Sequence, residues 1–147
     1  NEKLMMLALK EAEKALDEGE VPIGAVAILN NNLFKARNQV IKKNDPTAHA
    51  EIELIKKISK KIGNYRLIGT KIFVTVEPCP MCISALIHSR VSELYYGTRS
   101  DKWGYHTKHK LDLSNFNHKL IVHSGILEES CGKILSDFFR KLRAKAK

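Results

Sequence analysis

Residues 72–82 read Ile72-Phe73-Val74-Thr75-Val76-Glu77-Pro78-Cys79-Pro80-Met81-Cys82, and the chain continues through Ile83 to His88 before a second apolar run, Val91 to Tyr96. Ile72–Val76 is a short apolar, β-branched run and predicts a strand. The prolines at 78 and 80 suit a helix entry, so Pro80–His88 predicts a short helix. Val91–Tyr96 then predicts another strand. Upstream, Ile23–Leu29 is a continuous apolar run that reads as a buried strand. Asn30-Asn31-Asn32 is a turn, with Leu33–Arg37 as the return strand of a hairpin. Asp45-Pro46-Thr47 predicts a helix start capped by Asp45 or Thr47. That helix is expected to turn Ile52, Ile55 and Ile58 inward and Lys56, Lys57, Lys60 and Lys61 outward. Strand, helix, strand, helix, strand over residues 23–96 needs crossovers, so part of the sheet is expected to be parallel.

The ends of the chain complete an α/β layered pattern. Leu4, Met5, Ala8, Leu9, Ala12, Ala15 and Leu16 recur at helical spacing, with Gly19 as a stop. Leu120–His123 predicts one more strand. A last helix is expected over Leu127–Arg143, with Cys131, Ile134, Leu135, Phe138 and Leu142 on one face. Arg99–His118 is polar, aromatic and histidine-rich without a period, and is read as a loop with some short structure. No repeat or linker interrupts the chain, so residues 1–147 are expected to form one domain.

The composition narrows the function classes. With 44% apolar and 28% charged residues, the chain reads as an ordinary soluble globular protein. No apolar stretch approaches the roughly 18 residues of a membrane span. Asn1-Glu2-Lys3-Leu4 has no signal-peptide architecture, and without an initiator Met a few residues are expected to precede it. Three cysteines, two of them at C-x-x-C spacing, do not make a disulfide framework. They suggest a reducing compartment, hence the cytoplasm, and metal or redox use. A net charge of +9 and a pI near 9.5 point to a polyanionic partner or, more plainly, to a lysine-rich solvated face.

Two segments carry chemistry: Thr47-Ala48-His49-Ala50-Glu51 and Glu77-Pro78-Cys79-Pro80-Met81-Cys82. Cys79 and Cys82, at i and i+3, project from one helix face. The partial positive charge of a helix N-terminus favours the thiolates a metal needs. His49 also sits near a predicted helix start, so two helix N-termini can converge on one ion with a His-Cys-Cys set that suits Zn²⁺. On a helix, i and i+2 point to nearly opposite sides. Glu51 is therefore better placed beside a metal-bound water than on the metal. Three ligands leave a fourth position for water, as a catalytic zinc requires. A redox C-x-x-C would leave His49, Glu51 and Pro78 unexplained. A structural zinc would need a fourth ligand from Cys131, His88, His106 or His109, although Cys131 falls on the apolar face of the last helix and reads as core.

H-x-E followed by P-C-x-x-C is the signature of the zinc nucleobase deaminases, and beyond it the chain resembles the bacterial tRNA-specific adenosine deaminases. The likeness runs through Glu20-Val21-Pro22-Ile23-Gly24-Ala25-Val26, Asn38, Asp45–Ile52, Asn64-Tyr65-Arg66-Leu67, Val74–Cys82, Ile87-His88-Ser89-Arg90 and Leu135-Ser136-Asp137-Phe138-Phe139-Arg140. It implies a cytidine deaminase-like three-layer fold, with a central mixed sheet of about five strands flanked by helices, and a homodimer. It implies one zinc per subunit on His49, Cys79 and Cys82, with Glu51 as catalytic proton shuttle. It implies that Val21 and Asn38 line the base pocket, that Asn38 hydrogen-bonds the base, and that the Ala50 N–H lies there. Phe138, Phe139 and Arg140 are expected to meet a tRNA anticodon stem-loop, where a wobble adenosine becomes inosine. His88 is expected at a subunit contact. Where the family has small residues after a short acidic segment, this chain has the bulkier, more basic Ser100–His109, which bears on RNA preference and not on the chemistry.

Two rivals share parts of this pattern. A free guanine or cytosine type base or nucleoside deaminase needs the zinc site but not the +9 charge. A nucleic-acid-binding module with a structural zinc needs four protein ligands and no Glu51.

Overall fold

The Asn30-Asn31 dipeptide takes positive φ at both residues, 50° and 67°, which a two-residue hairpin turn of the type I′ class requires. It joins β1 (Gly24–Leu29) to β2 (Asn32–Arg37) in register, Leu29 opposite Asn32. A computed structural model describes residues 1–146 of the chain. Around the hairpin it places α1 (Glu2–Asp17), α2 (Val40–Lys43), α3 (Ala50–Ile62), β3 (Lys71–Val76), α4 (Pro80–His88), β4 (Glu93–Thr98), β5 (Ile121–Ser124) and α5 (Glu128–Ala146). Among the described residues, no helix is long and apolar enough to cross a membrane.

The five strands form one mixed sheet in the order β2-β1-β3-β4-β5. β1 is antiparallel to both β2 and β3, while β3–β4 and β4–β5 are parallel. The parallel pairing over residues 72–96 follows from the α4 crossover, as the sequence pattern requires. Successive side chains of a strand face opposite sides, and the central strands are buried on both. Ala25, Ala27, Ile72, Val74, Leu94 and Tyr96 share a core with Leu54 and Ile58 of α3 and Ile83, Leu86 and Ile87 of α4. Val26, Phe73 and Tyr95 pack instead with Met5 and Ala8 of α1 and Cys131 of α5. This is the three-layer arrangement expected. The layers approach closely at Gly24, where a Cβ would fall 2.1 Å from the Ala8 carbonyl oxygen.

Three local expectations are corrected. α3 does not start at Asp45 or Thr47. Asp45 closes its own turn by accepting from the Thr47 N–H (2.8 Å) and Oγ1 (2.7 Å), and the helix begins at Ala50 with His49 as N-cap. Consequently the inward face of α3 is Ala50, Glu51, Leu54 and Ile58, with Ile52 and Ile55 only half-buried. The apolar face of α5 is covered only in part: Cys131 and Leu135 are buried, Ile134 and Phe138 half-buried, and Leu142 exposed. The short helix α2 carries no periodic signal and was not expected.

Candidate active site

His49 and Cys79 cap α3 and α4 with nearly the same extended backbone, φ −72° and ψ 156° against φ −75° and ψ 169°. Cys82 is the third residue of α4, so the two cysteines meet as N-cap and N3 and not as two residues within a helix. The helices pack together and bring the three side chains into one cluster. Nδ1 of His49 lies 3.7 Å from Cys79 Sγ and 3.5 Å from Cys82 Sγ. Zinc in tetrahedral coordination, with Zn–S of about 2.3 Å and Zn–N of about 2.0–2.1 Å, sets sulfur and nitrogen about 3.6 Å apart. His49, Cys79 and Cys82 are the one group of potential ligands close enough to hold an ion among the described residues. His88, His106 and His109 are exposed, and Cys131 is buried in the α1–α5 layer.

The charges of the cluster also fit a cation. A hydrogen bond from Cys82, aided by His49, lowers the Cys79 thiol to about 4 against the opposing effect of burial. Cys82 is pushed far up by its bond to Cys79, by burial and by the Glu51 carboxyl. One thiolate is thus favoured and a second is resisted unless a cation arrives, which is how coordinating thiols become deprotonated. His49 is raised by its bond to Cys79 and, against burial, by the negative charges around it. Glu51, 4% exposed, lies outside the ligand triangle. Burial raises its pKa to about 7, with the Cys79 charge adding to the rise and its own backbone N–H, His49 and Cys82 opposing it. A carboxyl poised near neutrality is suited to taking and returning a proton.

The first N–H of α3 is capped from outside the helix. Asn38, buried just after β2, accepts from the Ala50 N–H with Oδ1 at 2.8 Å. The Ala50 N–H is thus engaged by Asn38. Asn38 lines a cleft of about 540 Å³ together with His49, Cys79, Val21 and Ile41. Glu20, also buried, holds α2 against this cleft by accepting from the N–H groups of Ile41 (3.1 Å) and Lys42 (2.9 Å). Trp103, Phe138, Phe139 and Leu142 line the cleft as well. Arg140 does not; it is exposed and pairs with Asp137 at 3.2 Å.

Glu77, two residues before Cys79, organises the loop after β4. Its Oε1 accepts from Ser100 N–H (3.1 Å), and its Oε2 from His106 (2.8 Å) and Thr107 (2.9 Å). Gly104 passes so close that a Cβ would fall 2.5 Å from the carboxylate. Burial alone would raise the Glu77 pKa, but these N–H donors outweigh it and hold it below the ordinary value. The only local sign of this role is a charged residue directly after the apolar run Ile72–Val76.

The chain is similar to known proteins along its whole length. The family model of MafB19-like deaminases matches residues 1–143. A tRNA-specific adenosine deaminase of Bacillus subtilis (strain 168) is 43% identical, covering 100% of this chain and 93% of that protein. Its counterpart from Haemophilus influenzae is 42% identical, with 100% and 87% covered. A solved structure from work on A-to-I editing by tRNA:A34 deaminases at the wobble position of transfer RNA superposes with a TM-score of 0.85 at 36% identity, covering 92% of this chain and 100% of that one. A guanine deaminase from Nitrosomonas europaea shares the fold, with a TM-score of 0.80 at 21% identity over 93% of this chain and 83% of its own. The chain belongs to the tRNA-specific adenosine deaminase family, with the cytidine deaminase-like fold.

Proposed function

We propose that this chain hydrolyses adenosine to inosine at the wobble position of a tRNA anticodon, with one zinc ion held by His49, Cys79 and Cys82. The observation that carries the reading is the position of Glu51: a buried carboxyl beside the ligand cluster but outside it, in the first turn of the helix His49 caps. Zinc in this set supplies the Lewis acidity that makes water nucleophilic near neutral pH. Glu51 would carry one proton of the attacking water to the ring nitrogen, which keeps it in inosine, and then the proton of the added hydroxyl to the amino group, which leaves as ammonia. One water enters and one ammonia leaves. Asn38 presents its NH₂ to the base, Val21 packs against it, and Phe138 and Phe139 of α5 bound the cleft on the side where the anticodon loop arrives, with Arg140 outside as a phosphate contact. An unpaired loop lowers the cost of flipping the base. Residues 1–147 act as one deaminase domain, working as a homodimer in the cytoplasm.

The test is to offer the zinc-loaded protein an anticodon stem-loop, guanine and cytidine in parallel. Inosine from the stem-loop is expected. Turnover of guanine or cytidine alone would replace the reading with that of a free-base or nucleoside deaminase. Binding to the stem-loop should weaken with salt, with a log–log slope of roughly −0.7 per phosphate contacted. A flat salt dependence would argue against the RNA partner.

A further inference from the structure

Trp103 stands between the cleft and a second pocket. Trp103 and Phe139 line both, and the second pocket, of about 290 Å³, adds Arg99, Lys102 and Arg143 together with Asp101. The indole is half-buried and meets the Phe139 ring edge to face, with centroids 5.8 Å apart and planes at 64°. Lys102 Nζ lies 3.8 Å from the centroid of the same Phe139. Among the described residues, Arg99, Lys102 and Arg143 pair with no carboxylate. The loop is firmly held: Glu77 grips it at Ser100, His106 and Thr107, the Trp103 N–H donates to Ser100 Oγ (3.2 Å), and the Tyr105 N–H donates to the Pro78 carbonyl (2.9 Å). An aromatic wall is thus tied to the strand end that leads into Cys79, and the adjoining pocket holds cations that, among the described residues, pair with no carboxylate. Aromatic faces next to backbone-tracking cations are how proteins hold single-stranded nucleic acid.

On the RNA reading above, we propose that Trp103 is a specificity-determining residue: its indole stacks on the base next to the reacting adenosine, and the pocket of Arg99, Lys102 and Arg143 takes that nucleotide's phosphate. A residue that only closed the loop over Phe139 would not sense the neighbouring nucleotide.

Trp103 is the single tryptophan of the chain, so its emission reports the contact directly. The zinc-loaded Glu51→Ala protein should bind an anticodon stem-loop without turnover, and its emission should be quenched in step with binding measured by anisotropy of a labelled stem-loop. An abasic site at one of the two positions flanking the target should abolish the quenching. In the otherwise wild-type enzyme, Trp103→Ala should raise KM about tenfold or more, with kcat moved much less, and Trp103→Phe should recover most of the loss. Binding without quenching, quenching that survives an abasic site at each of the two flanking positions tested in turn, or an unchanged KM for Trp103→Ala would overturn the inference. If the wild-type protein still makes inosine in those cases, the proposed function stands. No inosine from the wild type would remove both.

Discussion

Of the residues that line the cleft, His49 and Cys79 cap two helices, and the whole cluster lies at the first turns of α3 and α4. Trp103, Phe138 and Phe139, which line it too, come from a loop and from the far half of α5, and nothing local brings them together. The first wall is a pair of short motifs whose geometry is set by helix ends. The second is held by contacts between residues far apart in the chain: Glu77 with the backbone of residues 100–107, and Trp103 with Phe139. On the proposed function, chemistry is thereby separated from substrate choice. The catalytic wall has little room to vary, because three ligands and one carboxyl must meet. The substrate wall can change its side chains without disturbing them.

Substitutions should divide along this line. The largest effect is expected from Cys82→Ala, which removes a ligand: bound zinc, read by elemental analysis of the purified protein, and deamination should be lost together. Glu51→Ala should instead retain zinc while kcat falls by about 10²–10⁴. Wild-type turnover in that variant would refute the proton-carrying role. Glu77→Gln probes the facing wall. An amide cannot accept from all three N–H groups as a carboxylate does, so the cost is about 2–3 kcal/mol. Amide exchange at Ser100, His106 and Thr107 should accelerate, and KM should rise more than kcat falls, with zinc content unchanged. Asn38→Ala joins the two walls. It leaves the buried Ala50 N–H without its acceptor, for about 1–2 kcal/mol of stability in denaturant unfolding, and, on the proposed function, it removes the amide that faces the base.

The smallest effect lies outside the cleft and serves as a control. Arg37 clasps Glu18 through Nε (2.8 Å) and Nη2 (3.0 Å). That bond, joined by the charges of Arg37 and Lys42 and only partly opposed by burial, lowers the Glu18 pKa from 4.5 to about 2. A carboxyl whose pKa is depressed on folding adds stability above its unfolded value, and that stability is lost as pH falls through the folded value. The Tm difference between wild type and Glu18→Gln should therefore be present at neutral pH, shrink between pH 4.5 and 2, and be small throughout, since the pair is solvent-screened. Deamination should be unaffected.

Much of this molecule was legible from the chain alone. The strands and the α4 crossover follow from apolar runs of strand length, and the ligand set from residue types that few other chemistries need at that spacing. The start of α3 was misread because Asp45 and Thr47 are good caps in isolation. Asp45 is engaged in its own turn, and the cap on Ala50 is supplied by Asn38 from the end of a different element. The inward face of α3 shifted with that start. No local pattern marks the role of Glu77, since its partners lie 23 to 30 residues further on.

The sequence by itself determined the α/β layering, the parallel part of the sheet and which residues form the His49-Cys79-Cys82 group that could hold a metal, because each is encoded over a few consecutive residues and by period. Only the tertiary structure decided what closes the cleft: Asn38 on the Ala50 N–H, Glu77 beneath the 100–107 loop, and Trp103 against Phe139. These depend on hydrogen-bond geometry and ring contacts between segments that meet only when the sheet is assembled, and no local spacing records them.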